Sequence, residues 1–164
     1  QDVDKAAFAE LAEIKASLSA NLDTFHFREA LKDAMNIARL GNKYLQETEP
    51  WKLAKTDMAR VETILNVALQ ICANIAVAFE PFLPFMSEKL VKMLGMGTIK
   101  WEMLGSSSIL ADGAQIGAAE LLFEKIEDDA IQAQIDRLEK TKEDNKKWRE
   151  SKVKGQTTKP PKKQ

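Results

Sequence analysis

One segment of the chain, residues 42–55, brings together side chains that could bind an unpaired nucleotide base. Trp51 follows Pro50 where a helix must end, because the residue before a proline disfavours the α region. An indole at such an end can be held away from the core. Asn42 lies more than two helical turns earlier and carries an amide that both donates and accepts hydrogen bonds. An indole face for stacking and an amide for base edges are groups that proteins use to recognise single-stranded RNA.

Three lysines in the same segment, Lys43, Lys52 and Lys55, could contact phosphates or could simply be solvated. A second interpretation of the segment is structural. A tryptophan at a helix boundary also serves as a core plug, since its large ring system is mostly apolar. The chain would then be a helical protein–protein interaction module, which requires an open apolar groove for its partner.

The rest of the sequence contains none of the common catalytic or metal-binding patterns. With one His and one Cys, a Cys/His zinc site cannot be assembled, and a lone Cys favours a reducing compartment. There is no glycine-rich phosphate loop and no His-Glu-x-x-His pattern. The acidic residues fall mostly on polar helix faces, which argues against a bundle enzyme with paired carboxylates. We therefore expect no catalytic residues and no metal ligands in this chain.

Charge is divided unevenly along the chain. The net charge is −1. Residues 1–136 hold 13 Lys and Arg against 21 Asp and Glu, whereas residues 137–164 hold 11 against 4. The acidic body argues against a broad phosphate-binding surface, so nucleic-acid contacts there should be local. The Lys-rich end loses apolar residues from Ser151 and contains Pro160-Pro161, which predicts a flexible linker, although such a tail can also attract phosphates.

The elements that position the candidate segment are predicted to be helices, because apolar residues recur every three to four positions. The first helix runs from about Phe8 to Leu22. The second ends at Glu49-Pro50, and its predicted buried stripe is Phe27, Leu31, Ala34, Ala38, Gly41 and Leu45. Gly41 falls on that stripe, where the missing side chain would let another helix approach closely.

The third helix, from about Met58 to Phe79, is apolar around most of its circumference and belongs in the centre of a bundle. A fourth helix should start at Pro84 and stop at Gly95. Beyond it we expect an irregular stretch over residues 98–119, a short buried or extended segment at 121–123 and a charged helix at 127–150. No apolar run reaches the roughly 18 residues of a membrane span. The predicted fold is an all-α bundle of about five helices over residues 1–150, with a basic flexible linker at 151–164.

Three blocks of sequence, in the same order, resemble the helical anticodon-binding domain of the methionyl-tRNA synthetase family. Residues 42–55 match its pattern Asn-Lys-Tyr, an apolar residue, four mostly polar residues, Pro-Trp, an apolar residue, Ala and Lys almost throughout. Residues 79–95 are similar to the family's Pro-x-x-Pro helix junction, and residues 121–128 resemble the segment that closes the domain. Together the resemblance covers about residues 1–150.

The resemblance implies a role for the candidate residues. Trp51 would stack on the first anticodon base, a cytosine in methionine tRNA, Pro50 would set the exposed pose of the indole, and Asn42 would add a hydrogen bond. The intact protein would be a methionine–tRNA ligase, which attaches methionine to its tRNA with ATP. Its partners would be methionine tRNA, through the anticodon loop, and the rest of the synthetase chain.

The resemblance also implies what lies outside these 164 residues. The family's His-Ile-Gly-His and Lys-Met-Ser-Lys-Ser signatures and its Cys-rich metal knuckles do not occur here. ATP, magnesium and zinc would therefore belong to a catalytic part elsewhere, and this part would be inactive alone. The first helix of the domain, with an Asn and an Arg that also read the anticodon, is expected upstream of Gln1. We expect a monomeric, cytoplasmic chain.

Overall fold

The computed structural model describes residues 1–156, and the regular structure within them is helical. In chain order the helices are α1 (Asp2–Asp23), α2 (Phe27–Thr48), α3 (Pro50–Leu53), α4 (Met58–Phe79), α5 (Pro84–Met93) and α6 (Asp128–Gln156), with a 3-10 turn at Trp101–Met103. Five of these helices have ten or more residues, and no strand occurs in the described residues. The predicted all-α bundle of about five helices is confirmed.

The chain divides into two compact units. The first comprises residues 1–123 and contains α1 to α5, and the second begins at Glu124 and contains α6. Every side chain of α6 up to Lys152 is exposed. The helix continues to Gln156, six residues beyond the end predicted for it, so the first part of the predicted linker is helical. The remainder of that linker, residues 157–164, lies outside the described residues.

α4 is the central helix of the first unit, as its apolar character predicts. Eleven of its residues are buried, and α2, α3, α5 and the 3-10 turn all contact it. The helix begins at a side-chain cap, in which Asp57 Oδ1 accepts a hydrogen bond from the Arg60 backbone N–H at 3.0 Å. By length and composition α4 could cross a membrane, yet 56% of its most apolar window is buried inside the protein.

α2 packs against both α1 and α4 with a face that is rotated from the predicted stripe. Its buried residues are Ala30, Ala34, Ile37, Leu40 and Tyr44. Phe27 and Leu31 are exposed, so the predicted stripe is wrong at its first two positions, whereas Ala34 is buried as predicted. A spacing of three and four residues fits more than one helix face, and contact with α1 and α4 selects the face of Ala30, Ile37 and Tyr44.

Gly41 lies where α2 comes closest to α4. A Cβ built on Gly41 would lie 3.2 Å from Ile71 Cγ2, which is tighter than ordinary van der Waals contact. The close approach predicted for this glycine is therefore present in the structure. An alanine here would gain about 1 kcal/mol of helix propensity but would require the Ile71 side chain to shift by a few tenths of an ångström.

Two side-chain amides of α4 hold the irregular segment that follows α5. Asn74 is fully buried; its Oδ1 accepts from the Gly105 N–H at 2.6 Å, and its Nδ2 donates to the Ser106 carbonyl at 2.9 Å. Gln70 pairs in the same way with the N–H and carbonyl of Leu110, at 3.0 and 2.8 Å. Each side-chain amide thus makes the hydrogen bonds that the backbone N–H and carbonyl groups of this segment would otherwise form within a strand or helix.

The short segment at residues 121–123 differs from its prediction. Leu122 packs against the core, whereas Leu121 and Phe123 are exposed. Three consecutive apolar residues outside a helix cannot all turn to one side, so burial of the middle residue leaves its neighbours in solvent. Of the two predicted alternatives, buried or extended, burial therefore holds only for Leu122.

We expect Asn74→Ala to lower the free energy of unfolding by about 1–3 kcal/mol, because it leaves the Gly105 N–H and the Ser106 carbonyl without partners. Asn36→Ala is the matched control, since the Asn36 amide bonds an exposed guanidinium, that of Arg39, at the surface. It should cost less than about 0.5 kcal/mol. Urea unfolding of both variants measures the difference, and equal losses would contradict the role given to Asn74.

Candidate functional site

Trp51 lies on the one-turn helix α3, at a sharp corner between α2 and α4. Glu49 ends α2 in the left-handed region, with φ 43° and ψ 55°, and its N–H donates to the Leu45 carbonyl at 3.0 Å. Pro50 then takes the first position of α3, where its missing N–H is not needed and its fixed φ suits a helix. A non-glycine residue pays about 1–2 kcal/mol for the left-handed conformation. The chain between the end of α2 and the start of α4 therefore forms a defined corner.

The two residues of the Pro-Trp pair have opposite environments. Pro50 is buried and Leu53, three residues further on, packs against the core, so one face of α3 is anchored. Trp51 lies off that face and is 60% exposed. The structure therefore excludes the interpretation of Trp51 as a core plug and leaves most of its indole open to a ligand.

Asn42 is exposed on α2, two positions before the buried Tyr44 and therefore on the far side of the helix. It lies six residues before the end of α2, about 9 Å along the helix axis. In the described part of the chain its amide makes no hydrogen bond. The structure thus places Asn42 and Trp51 on the same end of the unit, without a direct bond between them.

The three candidate lysines differ in their surroundings. Lys43 Nζ lies 3.4 Å from Glu10 Oε2 of α1, and Lys52 Nζ lies 2.7 Å from Glu49 Oε1. Lys55 is exposed and takes part in no ion pair within residues 1–156. Exposed ion pairs contribute only about 0–1 kcal/mol, so a phosphate could take the place of either carboxylate.

A carboxylate that the sequence analysis missed joins three helices next to this corner. Asp4 of α1 accepts a hydrogen bond from the Tyr44 hydroxyl of α2 at 2.6 Å. The Arg60 guanidinium of α4 donates to both of its oxygens, at 2.6 and 2.7 Å, and the backbone nitrogen of Gln1 donates at 2.7 Å. Tyr44 belongs to the Asn-Lys-Tyr pattern, so that pattern contributes an anchor as well as an exposed amide.

The three side chains shift one another's pKa values. The hydrogen bonds from Arg60 hold the pKa of Asp4 well below its usual range and outweigh desolvation, which acts the other way. Burial, together with the bond to the Asp4 carboxylate, raises the pKa of Tyr44, and the bond to Asp4 raises that of Arg60. Asp4 and Arg60 are therefore charged at neutral pH, and Tyr44 is a neutral donor.

The sequence contained one signal for this cluster. Asp4 has the same spacing as the buried face of α1, on which Ala7, Leu11 and Leu18 lie, and an acidic residue on an apolar face must find a partner. The partner could not be found from sequence, because Arg60 is 56 residues away.

The single cysteine and the single histidine of the chain do not form a site with other residues of the described structure. Cys72 on α4 is partly buried, and burial raises the pKa of its thiol. His26 is exposed at the start of α2, with Nδ1 2.7 Å from Thr24 Oγ1. Among residues 1–156, no three His, Cys, Asp or Glu side chains come together as possible metal ligands.

Comparison with known proteins finds clear similarity over most of the chain. The family model described as the anticodon binding domain of methionyl tRNA ligase matches residues 1–143. The methionine–tRNA ligase of Phocaeicola vulgatus is 62% identical over 144 residues, covering 88% of this chain and 21% of the relative. That of Porphyromonas gingivalis is 59% identical over 147 residues (89% and 22%), and that of Flavobacterium psychrophilum 49% over 146 (88% and 21%). The chain spans about a fifth of the length of the curated relatives it matches.

We expect Asp4→Asn to destabilise the chain by about 3–5 kcal/mol at pH 7, because Arg60 loses its buried counter-charge. Since the pKa of Asp4 is lower in the folded state than the unfolded value of about 3.9, its contribution is complete above about pH 4. It is lost as the pH falls towards the folded pKa, so the gap between wild type and variant should narrow by about 1 kcal/mol at pH 3.

Urea unfolding at pH 7 and pH 3 measures both effects. Asp2→Asn is the control, since Asp2 lies in the same first turn of α1 but is exposed. A gap between wild type and Asp4→Asn that is independent of pH would show that the carboxylate's charge contributes nothing.

Proposed function

Because this chain belongs to the family of anticodon-binding domains of methionyl-tRNA ligases, we propose that the corner formed by α2 and α3 binds the anticodon of a tRNA. The observation that carries this proposal is the position of Trp51, whose indole is 60% exposed while the residues on either side of it on α3, Pro50 and Leu53, are anchored. An aromatic ring held in solvent on a rigid element is a stacking platform for a splayed base.

In this proposal Trp51 stacks on the first anticodon base, the cytosine of methionine tRNA. Stacking of a base on an aromatic side chain is worth about 1–3 kcal/mol. Pro50 contributes by its fixed φ and by its burial, which hold the ring before the base arrives, so less conformational entropy is lost on binding. The tight corner at Glu49 serves the same purpose.

Asn42 is proposed to bind the nucleotide next to the one stacked on Trp51. Asn42 lies more than one helical turn before the end of α2, about 9 Å along the helix axis, so we assign its amide to a neighbouring nucleotide rather than to the stacked base. An unpaired amide can both donate to and accept from a base edge or a ribose hydroxyl. Lys43, Lys52 and Lys55 are proposed to contact phosphates around these two nucleotides. Lys43 and Lys52 would each exchange an ion pair for the phosphate, whereas Lys55 forms no ion pair within residues 1–156.

The whole protein is proposed to be a methionine–tRNA ligase, which esterifies methionine to its tRNA with ATP. ATP, magnesium and zinc would be bound by the part of the ligase outside this chain, with which the present domain would share one polypeptide and a cytoplasmic location. The residues described here would do no covalent chemistry. They would select the tRNA by its anticodon and so raise the concentration of the correct acceptor at the distant catalytic part.

An interaction module would require a buried Trp51 and an open apolar groove. A groove of about 590 Å³ does lie beside the first half of α2, lined by Phe27, Leu31, Met35 and the turn after α4. Trp51 is exposed at the opposite end of α2. The groove therefore does not explain the exposure of the indole, and base stacking does.

We expect Trp51→Ala in the full-length ligase to lower kcat/KM for methionine tRNA by about 5- to 150-fold, which corresponds to a loss of 1–3 kcal/mol. Trp51→Phe should retain part of the activity, because it keeps a smaller aromatic face. Pyrophosphate exchange with methionine and ATP should not change, since it does not involve the tRNA. Aminoacylation kinetics with cognate tRNA, and with tRNA altered at the first anticodon base, measure the effect.

Trp148→Ala is the matched control, because Trp148 is exposed to the same degree on α6 and is not one of the residues assigned to the site. It should leave kcat/KM within about twofold of wild type. Unchanged aminoacylation by Trp51→Ala, or a fall in melting temperature typical of a core substitution, would overturn the base-platform assignment.

A further inference from the structure

Four basic residues of α2 form one line along its exposed side. Arg28, Lys32, Arg39 and Lys43 are spaced by four, seven and four residues, which places them within about 60° of one another around the helix. All four are exposed. The line is about 22 Å long at 1.5 Å per residue, and Lys43 at its end is next to Asn42. We call these four residues the basic stripe.

The basic stripe faces away from the core. The buried residues of α2, among them Ala34, Ile37 and Tyr44, lie on the opposite side of the helix. The acidic Asp33 lies on the side that meets α1, where its Oδ2 accepts from the Ser17 hydroxyl at 2.6 Å and the Asn21 amide at 2.9 Å. Its charge is thus directed to polar groups of α1 rather than to the stripe.

Exposed carboxylates lie near both ends of the stripe, Glu29 three residues before Lys32 and Glu47 four residues after Lys43, but neither forms an ion pair with it in the described residues. Within residues 1–156, only Lys43 of the four forms an ion pair, an exposed one of 3.4 Å with Glu10. Arg39 donates to the neutral Asn36 amide at 2.7 Å. Arg28 and Lys32, and again Arg39 and Lys43, are like charges four residues apart, an arrangement that destabilises a helix by a few tenths of a kcal/mol per pair, roughly. Arg28 also lies in the first turn, where the helix dipole disfavours a cation.

The rest of the unit has the opposite charge. Residues 1–123 contain 12 Lys and Arg against 16 Asp and Glu, and six of those 12 basic residues fall between positions 28 and 55. Positive charge in an acidic unit is therefore concentrated on α2 and on the corner that follows it. Arg28, Lys32 and Arg39, which form no ion pair within residues 1–156, are therefore the cations of the stripe that gain most from an anionic ligand with a regular charge spacing.

We propose that the basic stripe binds the phosphate backbone of the tRNA anticodon arm, beside the nucleotides that the corner recognises. This inference rests on the proposed function and adds a second, sequence-independent contact to it. A line of cations about 22 Å long can follow several successive phosphates of one strand, since each contact needs only charge and reach. Lys52 and Lys55 would extend the line to the anticodon loop.

The test uses the full-length ligase carrying the double substitution Lys32→Ala/Arg39→Ala, because neither residue has a carboxylate partner in the described structure. Binding of methionine tRNA is measured from low to moderate salt. We expect a higher Kd at low salt and a slope of log K against log salt that is shallower by about 1.5, the result of losing two phosphate contacts. The preference for the correct anticodon over altered anticodons should not change, because phosphates carry no sequence information.

Two matched variants control for charge and for folding. Lys89→Ala/Lys92→Ala makes the same change of charge on two exposed lysines of α5 and should leave the slope unaltered. Lys32→Arg/Arg39→Lys keeps the charge and should keep the wild-type slope. The melting temperature of Lys32→Ala/Arg39→Ala should be unchanged or slightly higher, because like-charge repulsion in α2 is relieved.

The outcomes separate the two proposals. A wild-type slope for Lys32→Ala/Arg39→Ala overturns the basic stripe, whatever Trp51→Ala does. An equal reduction in the α5 control also overturns it, since the effect would then be one of net charge. A shallower slope confined to the stripe, together with a Trp51→Ala variant that retains full anticodon preference, supports the stripe and refutes the base platform.

Discussion

One buried carboxylate sets the geometry on which the rest of this structure depends. Asp4 accepts hydrogen bonds from Tyr44 and from both nitrogens of the Arg60 guanidinium, and so joins α1, α2 and α4 at one end of the bundle. Tyr44 precedes the corner at Glu49 by about one turn. Arg60 is the third residue of α4, the helix that follows the corner. The chain from Tyr44 to Arg60 is therefore fixed at both of its ends to the Asp4 carboxylate. A single turn of helix would fray in isolation, but between two such fixed points it holds its tryptophan in a constant position.

The segment at residues 42–55 divides its residues between two tasks. Tyr44, Pro50 and Leu53 are directed inwards and hold the segment on the core. Asn42 and Trp51 are exposed, and within residues 1–156 their side chains form no hydrogen bond. Buried and exposed residues alternate over a short stretch because a helix end and a one-turn helix present different faces within a few residues. The same segment thus contains the exposed residues and the buried residues that hold them in place. A substitution of Tyr44 would therefore affect the site by changing the geometry of the segment.

The electrostatics of the first unit follow the same division between elements. Two of its acidic residues, Asp4 and Asp33, bind groups of neighbouring helices. Six of its 12 basic residues lie on α2 and at the corner, where they outnumber the four Asp and Glu of the same stretch, residues 28–55. A small negative net charge is therefore compatible with a positively charged surface, since a ligand responds to the local field over about one Debye length, roughly 10 Å, and not to the sum over the chain.

The sequence by itself determined the long helices and those ends that prolines, glycines and caps mark, because these residues act locally: Asp57 caps α4, Pro84 begins α5 and Gly95 follows its end. The end of α6 was not determined, since that helix continues six residues beyond its predicted end. The sequence also identified the segment that contains Trp51. Tertiary structure decided which side of α2 is buried, since a spacing of three and four fits more than one face and the choice depends on the surfaces of α1 and α4. It decided that Trp51 is exposed, because a tryptophan at a helix boundary can either fill a core or face a ligand and local sequence does not separate the two. It alone brought Arg60 to Asp4 across 56 residues, since the pairing of a buried charge depends on which helices become neighbours, and local sequence does not encode that.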